Sequence, residues 1–268
     1  MKKFLLYSWM FLAIAACKKK AEEPNPANTI IDPETGQKIK IGNIKLEFEH
    51  VVGNTAFQIN TDFLNSSGET FQVSTLRYYI SNVKLKKPDG SFTVIPKTYH
   101  LVNAVRNNVN LNASPIITIP NVPEGNYSGI SFLIGVDSVQ TESGAQTGDL
   151  SPDLGMLWVW EGYSPLEFMG KSAASKSSGK SFSYQIFGYK EPYNASQIIS
   201  CDFGSSLLMA KQNAVPIVHF KVDILEFFQT PKTISIANLS STVTKANETN
   251  KMLSENYKDM FRFEHIHN

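Results

Sequence analysis

Residues 41–52, IGNIKLEFEHVV, alternate in polarity. Ile44, Leu46 and Phe48 fall on one face, and Lys45, Glu47 and Glu49 on the other. This is the signature of a half-buried strand, with His50 on its apolar side. The same reading predicts strands over 57–64, 71–86, 91–96, 99–102, 116–119, 127–136, 182–187, 206–209, 217–228 and 233–236. Turn-formers such as Asn65-Ser66-Ser67-Gly68 and Pro88-Asp89-Gly90 separate them. In 217–224 the apolar set is Val218, Phe220, Val222 and Ile224, so His219 joins Lys221 and Asp223 on the polar face and reads as a surface residue. Residues 246–260 carry Leu253, Tyr257 and Met260 at helical spacing, and the tail 261–267 reads as a strand with Phe261, Phe263, His265 and His267 on one face. The predicted fold is all-β: a β-sandwich or open barrel of short antiparallel strands with one late C-terminal helix and a long Trp-bearing loop.

That loop is residues 148–170, GDLSPDLGMLWVWEGYSPLEFMG, punctuated by Pro152, Gly155, Gly162, Pro165 and Gly170. Trp158 and Trp160 stand one residue apart, so an extended backbone projects both indoles to the same side. With Met156, Leu157, Tyr163 and Phe168, the loop is too apolar for disorder. A hydrophobic plug closing one end of the β-structure explains its composition better than a functional site does.

The chain has three expected parts. Residues 1–16 read as a signal peptide: Lys2 and Lys3 precede an apolar run too short to span a bilayer as a helix. The run ends in Ile14-Ala15-Ala16-Cys17, which resembles a bacterial lipobox and implies lipidation at Cys17 and a membrane anchor. Residues 17–39, charged and Pro-containing, read as a flexible tether, and residues 40–268 as a single β domain. The expected location is the outer membrane, on its periplasmic or surface side. With a formal net charge of +1 the chain has no electrostatic footprint for nucleic acid. Cys201 has no partner once Cys17 is lipidated and is expected as a buried thiol.

Enzyme signatures are absent: there is no G-x-S-x-G, HExxH, P-loop or dinucleotide fingerprint, and Ser177-Ser178-Gly179-Lys180 fits S-x-x-K only by chance in a Ser-rich loop. The expectation is a binding protein. His265 and His267, two apart on a strand, bring their Cα atoms to about 6.5–7 Å, close enough to share a metal ion. Asp149, Ser151 and Asp153 sit at alternate positions, as the first oxygen ligands of a calcium loop do; the Gly is one place late, and turn hydrogen bonds account for them better.

Four blocks carry a family resemblance: residues 75–85 (TLRYYISNVKL), 122–138 (VPEGNYSGISFLIGVDS), 143–163 (SGAQTGDLSPDLGMLWVWEGY) and 259–268 (DMFRFEHIHN). In content and order they resemble the MbnP-like copper-binding lipoproteins. The resemblance implies a β-rich envelope domain that binds copper. In some members it also implies a Trp oxidised to kynurenine by a dihaem peroxidase of the MauG type. On this chain the matching residue is Trp158 or Trp160, and the implied copper ligands are His50, His265 and His267. Where a His is expected in such relatives, this chain has Gln185, which weakens the implied site. A further expectation is a purely structural lipoprotein, anchored by its lipid beside an outer-membrane TonB-dependent transporter. The competing expectation is a metal-free module in which Trp158 and Trp160 bind a glycan or a protein.

Overall fold

A computed structural model describes residues 29–31, 36–105, 114–158 and 160–268. The expected signal peptide and Cys17 lie outside the described residues. The fold is two sheets packed face to face, with no closed barrel. In the first sheet, the strand Lys38–Val52 pairs with Thr29–Ile31, Thr55–Ala56, Ile116–Pro123 and Ile217–Asp223, and the last of these pairs with Phe261–His267. The second sheet is built on Thr70–Lys86, flanked by Leu166–Lys171, Ser181–Gln185, Gly129–Ile134 and Gln197–Asp202, with Tyr99–Asn103 along its other edge. Among the described residues the paired strands run antiparallel except Lys38–Val52 and Ile217–Asp223, which run parallel.

The apolar faces anticipated for the long strands meet between the sheets. Phe48 stacks on Phe220 at 5.5 Å and meets Tyr78 and Phe132 edge-on. Phe168, Phe182, Phe227 and Phe228 fill the other half of the core. Such contacts add about 0.5–1.5 kcal/mol per pair to the area they bury. A smaller apolar cluster, Tyr79, Val136, Leu150, Met156 and Tyr163, covers the outer face of the second sheet. Tyr78 and Tyr79 are consecutive on one strand, so they project to opposite faces. The loop carrying the tryptophans is the cover over Tyr79.

Several elements differ from expectation. Residues 29–31 pair antiparallel with residues 38–40, where the expected tether meets the domain. The two main strands span 15 and 17 residues, so the sheets are not made only of short ones. Residues 57–62 are not strand; only Thr55–Ala56 and Phe63–Leu64 pair there. Strands at Leu166–Lys171 and Gln197–Asp202 were not anticipated, and the first shortens the long loop. The expected strand over 217–228 stops at Asp223, whose carboxylate accepts from Leu225 N and turns the chain into a 3-10 helix. Residues 233–236 form no strand. The Glu69 carboxylate accepts from the amides of Ile236 and Ala237 and from the Ser235 hydroxyl, taking donors that a ladder would need. The late helix runs Glu248–Lys258 behind the N-cap Asn247, with Leu253 and Tyr257 buried as expected; a short helix, Ser138–Glu142, precedes the Trp loop.

Candidate metal centre on the outer face of the first sheet

On Ile217–Asp223 the buried alternation of Val218, Phe220 and Val222 leaves His219 facing out, beside Glu47 of the parallel neighbour. On the other side runs Phe261–His267. Phe263 pairs with Phe220 and His265 with His219, which leaves Glu264 as an extra residue in a β-bulge. The bulge reverses the facing of everything beyond it. Phe261 and Phe263 pack against the core, whereas His265 and His267 turn outward.

Three imidazoles meet there. His219 and His265 stack with ring centroids 4.2 Å apart, and His267 stands edge-on to both at 4.8 Å. One nitrogen from each lies within 4.8 Å of the others. His265 Nε2 and His267 Nε2 are 3.1 Å apart, a distance at which two lone pairs need a proton or a cation between them. His219 Nε2 is buried and has no hydrogen-bond partner among the described residues. Burial lowers the His219 pKa, the carboxylate of Glu47 opposes that shift, and the other two imidazoles add to it. A neutral imidazole with an unused, buried lone pair is the form that binds a metal ion. Directly after His267, Asn268 fastens the strand end: its Oδ1 accepts from Met209 N at 2.7 Å, and its Nδ2 donates to Leu207 O at 2.9 Å.

The other expected site residues lie elsewhere. His50 does not join His265 and His267. It pairs with Val222, faces the core, is 7% exposed and shares a 3.1 Å hydrogen bond with the Tyr78 hydroxyl. Its position on the apolar face is as the alternation predicted; the bulge at Glu264 is what sends the other two histidines to the opposite side. His219, read as an ordinary surface residue, takes its place. The signal available was that two strands each carry histidine on a polar face, but the sequence does not say that those strands are neighbours.

Trp158 and Trp160 also lie away from the histidines, on the loop outside the second sheet, so both sheets, about 10 Å apart, stand between the two features. Trp158 is 40% exposed and packs edge-on against Phe187, and Trp160 is 91% exposed. The plug expected of this stretch is instead Leu150, Met156 and Tyr163. Gly162 holds the hairpin at φ +77, where a Cβ would also strike Thr141 and Tyr189. Asp149, Ser151 and Asp153 take part in hydrogen bonds of the loop. Asp149 Oδ2 accepts from Leu101 N, and the Ser151 hydroxyl accepts from Asp153 N, so these oxygens serve the loop itself. Gln185 donates to Glu167, which also receives the Arg77 guanidinium, so this position belongs to a polar network around a buried carboxylate. Cys201 is a half-buried free thiol packed on the core, its pKa raised by burial.

Fold and site together define an antiparallel-rich β-sandwich with a histidine triad on one outer face. The chain belongs to the MbnP family, whose model matches residues 41–250. Among solved structures it is similar to MbnP from Methylosinus trichosporium, with a TM-score of 0.52 and 13% identity over 78% of this chain and 82% of that one. At that identity the likeness is one of fold. Among curated proteins there is no match.

Proposed function

We propose that this chain is a copper-binding protein of the cell envelope, tethered to the outer membrane by lipid on Cys17, that holds its ion through His219, His265 and His267 and binds it without catalysis. The observation that carries the reading is the convergence of one nitrogen from each of three imidazoles within 4.8 Å, beside which His219 Nε2 is buried and unpartnered among the described residues. Imidazole suits copper, zinc, nickel and iron, and among divalent ions the affinity order peaks at copper. Membership of the MbnP family supports the choice of copper, and the Ile14-Ala15-Ala16-Cys17 stretch supports the anchor. A MauG-type dihaem peroxidase and a TonB-dependent transporter are the proposed partners in the envelope. Native mass spectrometry after copper loading tests the site. Wild type and His50→Ala are expected to hold one tightly bound ion, and His219→Ala and the His265→Ala/His267→Ala double variant none. Equal loading of the double variant would remove the triad from the reading.

A second reading rests on a separate observation. Trp160 is almost fully exposed and Trp158 partly so, an aromatic surface of the kind that stacks on sugar rings or docks against a protein. Calcium has no such support in the loop geometry.

A further inference from the structure

We infer that Glu47 is a positioning residue that commits His219 to metal ligation through Nε2 and biases the site toward a divalent ion; this rests on the reading of the histidine triad as a metal site. Glu47 is the direct neighbour of His219 in the parallel register, so both side chains rise from the same outer face. Its Oε2 lies 3.4 Å from His219 Nδ1. A carboxylate beside one imidazole nitrogen draws the proton there and leaves the lone pair on the other. The other nitrogen is the buried Nε2, which has no hydrogen-bond partner among the described residues. The tautomer that Glu47 favours is therefore the one that leaves the lone pair on that buried nitrogen, in a ring that His265 stacks on and His267 meets edge-on.

Charge points the same way. The Glu264 carboxylate is 3.7 Å from His265 Nδ1, but Lys221 Nζ holds it at 2.7 Å and offsets its charge. Glu47 has no lysine or arginine within salt-bridge distance among the described residues; its ion-pair partner is His219. Imidazole ligands add no charge of their own, so a site with one carboxylate beside it that no lysine or arginine offsets suits a doubly charged ion better than a singly charged one.

The test uses the folded chain with Zn²⁺, Cu²⁺ and, under reductant, Cu⁺ as probes, together with ¹⁵N-detected histidine NMR. The metal-free protein is expected to show His219 protonated at Nδ1. Glu47→Ala is expected to lose that preference and to bind Zn²⁺ and Cu²⁺ about 10–100-fold more weakly, with a smaller loss for Cu⁺. Glu47→Gln, nearly isosteric and still able to accept the Nδ1 proton, is expected to keep the tautomer and recover part of the affinity. Wild-type binding with unchanged tautomer and affinity in Glu47→Ala would overturn the role of Glu47 and leave the triad standing. Equal losses for Cu⁺ and Cu²⁺ would overturn the charge bias. Failure of wild type to bind any of the three ions would instead overturn the metal reading beneath it.

Discussion

His50 shows what the core does to an ionisable side chain. Burial lowers its pKa to about 3, against a smaller opposing effect from a backbone hydrogen bond at Phe48, and its ring shares a hydrogen bond with Tyr78. The unfolded chain takes up a proton near pH 6.5, whereas the folded chain resists it until about pH 3. The stability contributed by neutral His50 is therefore complete above pH 6.5 and is lost as the pH falls toward 3, by about 1.4 kcal/mol per pH unit. His50→Leu removes this titration but leaves the buried Tyr78 hydroxyl unpaired, at a cost of about 1–3 kcal/mol. Urea unfolding at pH 7.5 is expected to find the variant less stable than wild type, and at pH 4 to find the gap closed or reversed. A gap of equal size at both values would contradict this assignment.

At the scale of the element, the strand Phe261–His267 decides whether a site exists. Without its bulge, Phe263 and His265 would share the buried face, as plain alternation predicts. With it, the aromatic residues stay in the core while the imidazoles reach His219. Alternation located the long strands, the late helix and the outward facing of His219, because each of those follows from side-chain periodicity alone. It could not locate a single extra residue opposite His219, since a bulge is fixed by the partner strand. Nor could it foresee that Glu69 would claim the amides of Ile236 and Ala237, because that bond joins residues 167 and 168 positions apart. The end of the same strand gives a further expectation. Asn268→Ala removes two hydrogen bonds, each contributing about 0.5–1.5 kcal/mol, that hold His267 beside its partners. Amide exchange at Ile266 and His267 is expected to accelerate and copper affinity to fall about 3–10-fold, the equivalent of about 1 kcal/mol. Unchanged exchange there would show that the cross-strand pairing with Ile217 suffices.

Across the whole molecule, the two chemically distinctive features occupy opposite outer faces of one sandwich. The histidine triad stands on the first sheet, behind Phe220 and Phe48; the Trp loop covers the second, over Tyr79 and Tyr163. Close-packed aromatic layers lie between them, and a rigid interior of this kind lets the faces act independently. Mutational effects at sites this far apart, with no shared partner, are expected to add. Trp158→Ala/Trp160→Ala is therefore expected to leave copper stoichiometry and affinity unchanged while abolishing any binding of glycan or protein to the aromatic face, and His265→Ala/His267→Ala to do the reverse. Titration of both double variants and their combination, with copper and with a glycan panel, checks this. Loss of copper affinity in the Trp variant would mean that the loop leaves the second sheet to reach the histidines, and the independence of the two faces would be lost with it.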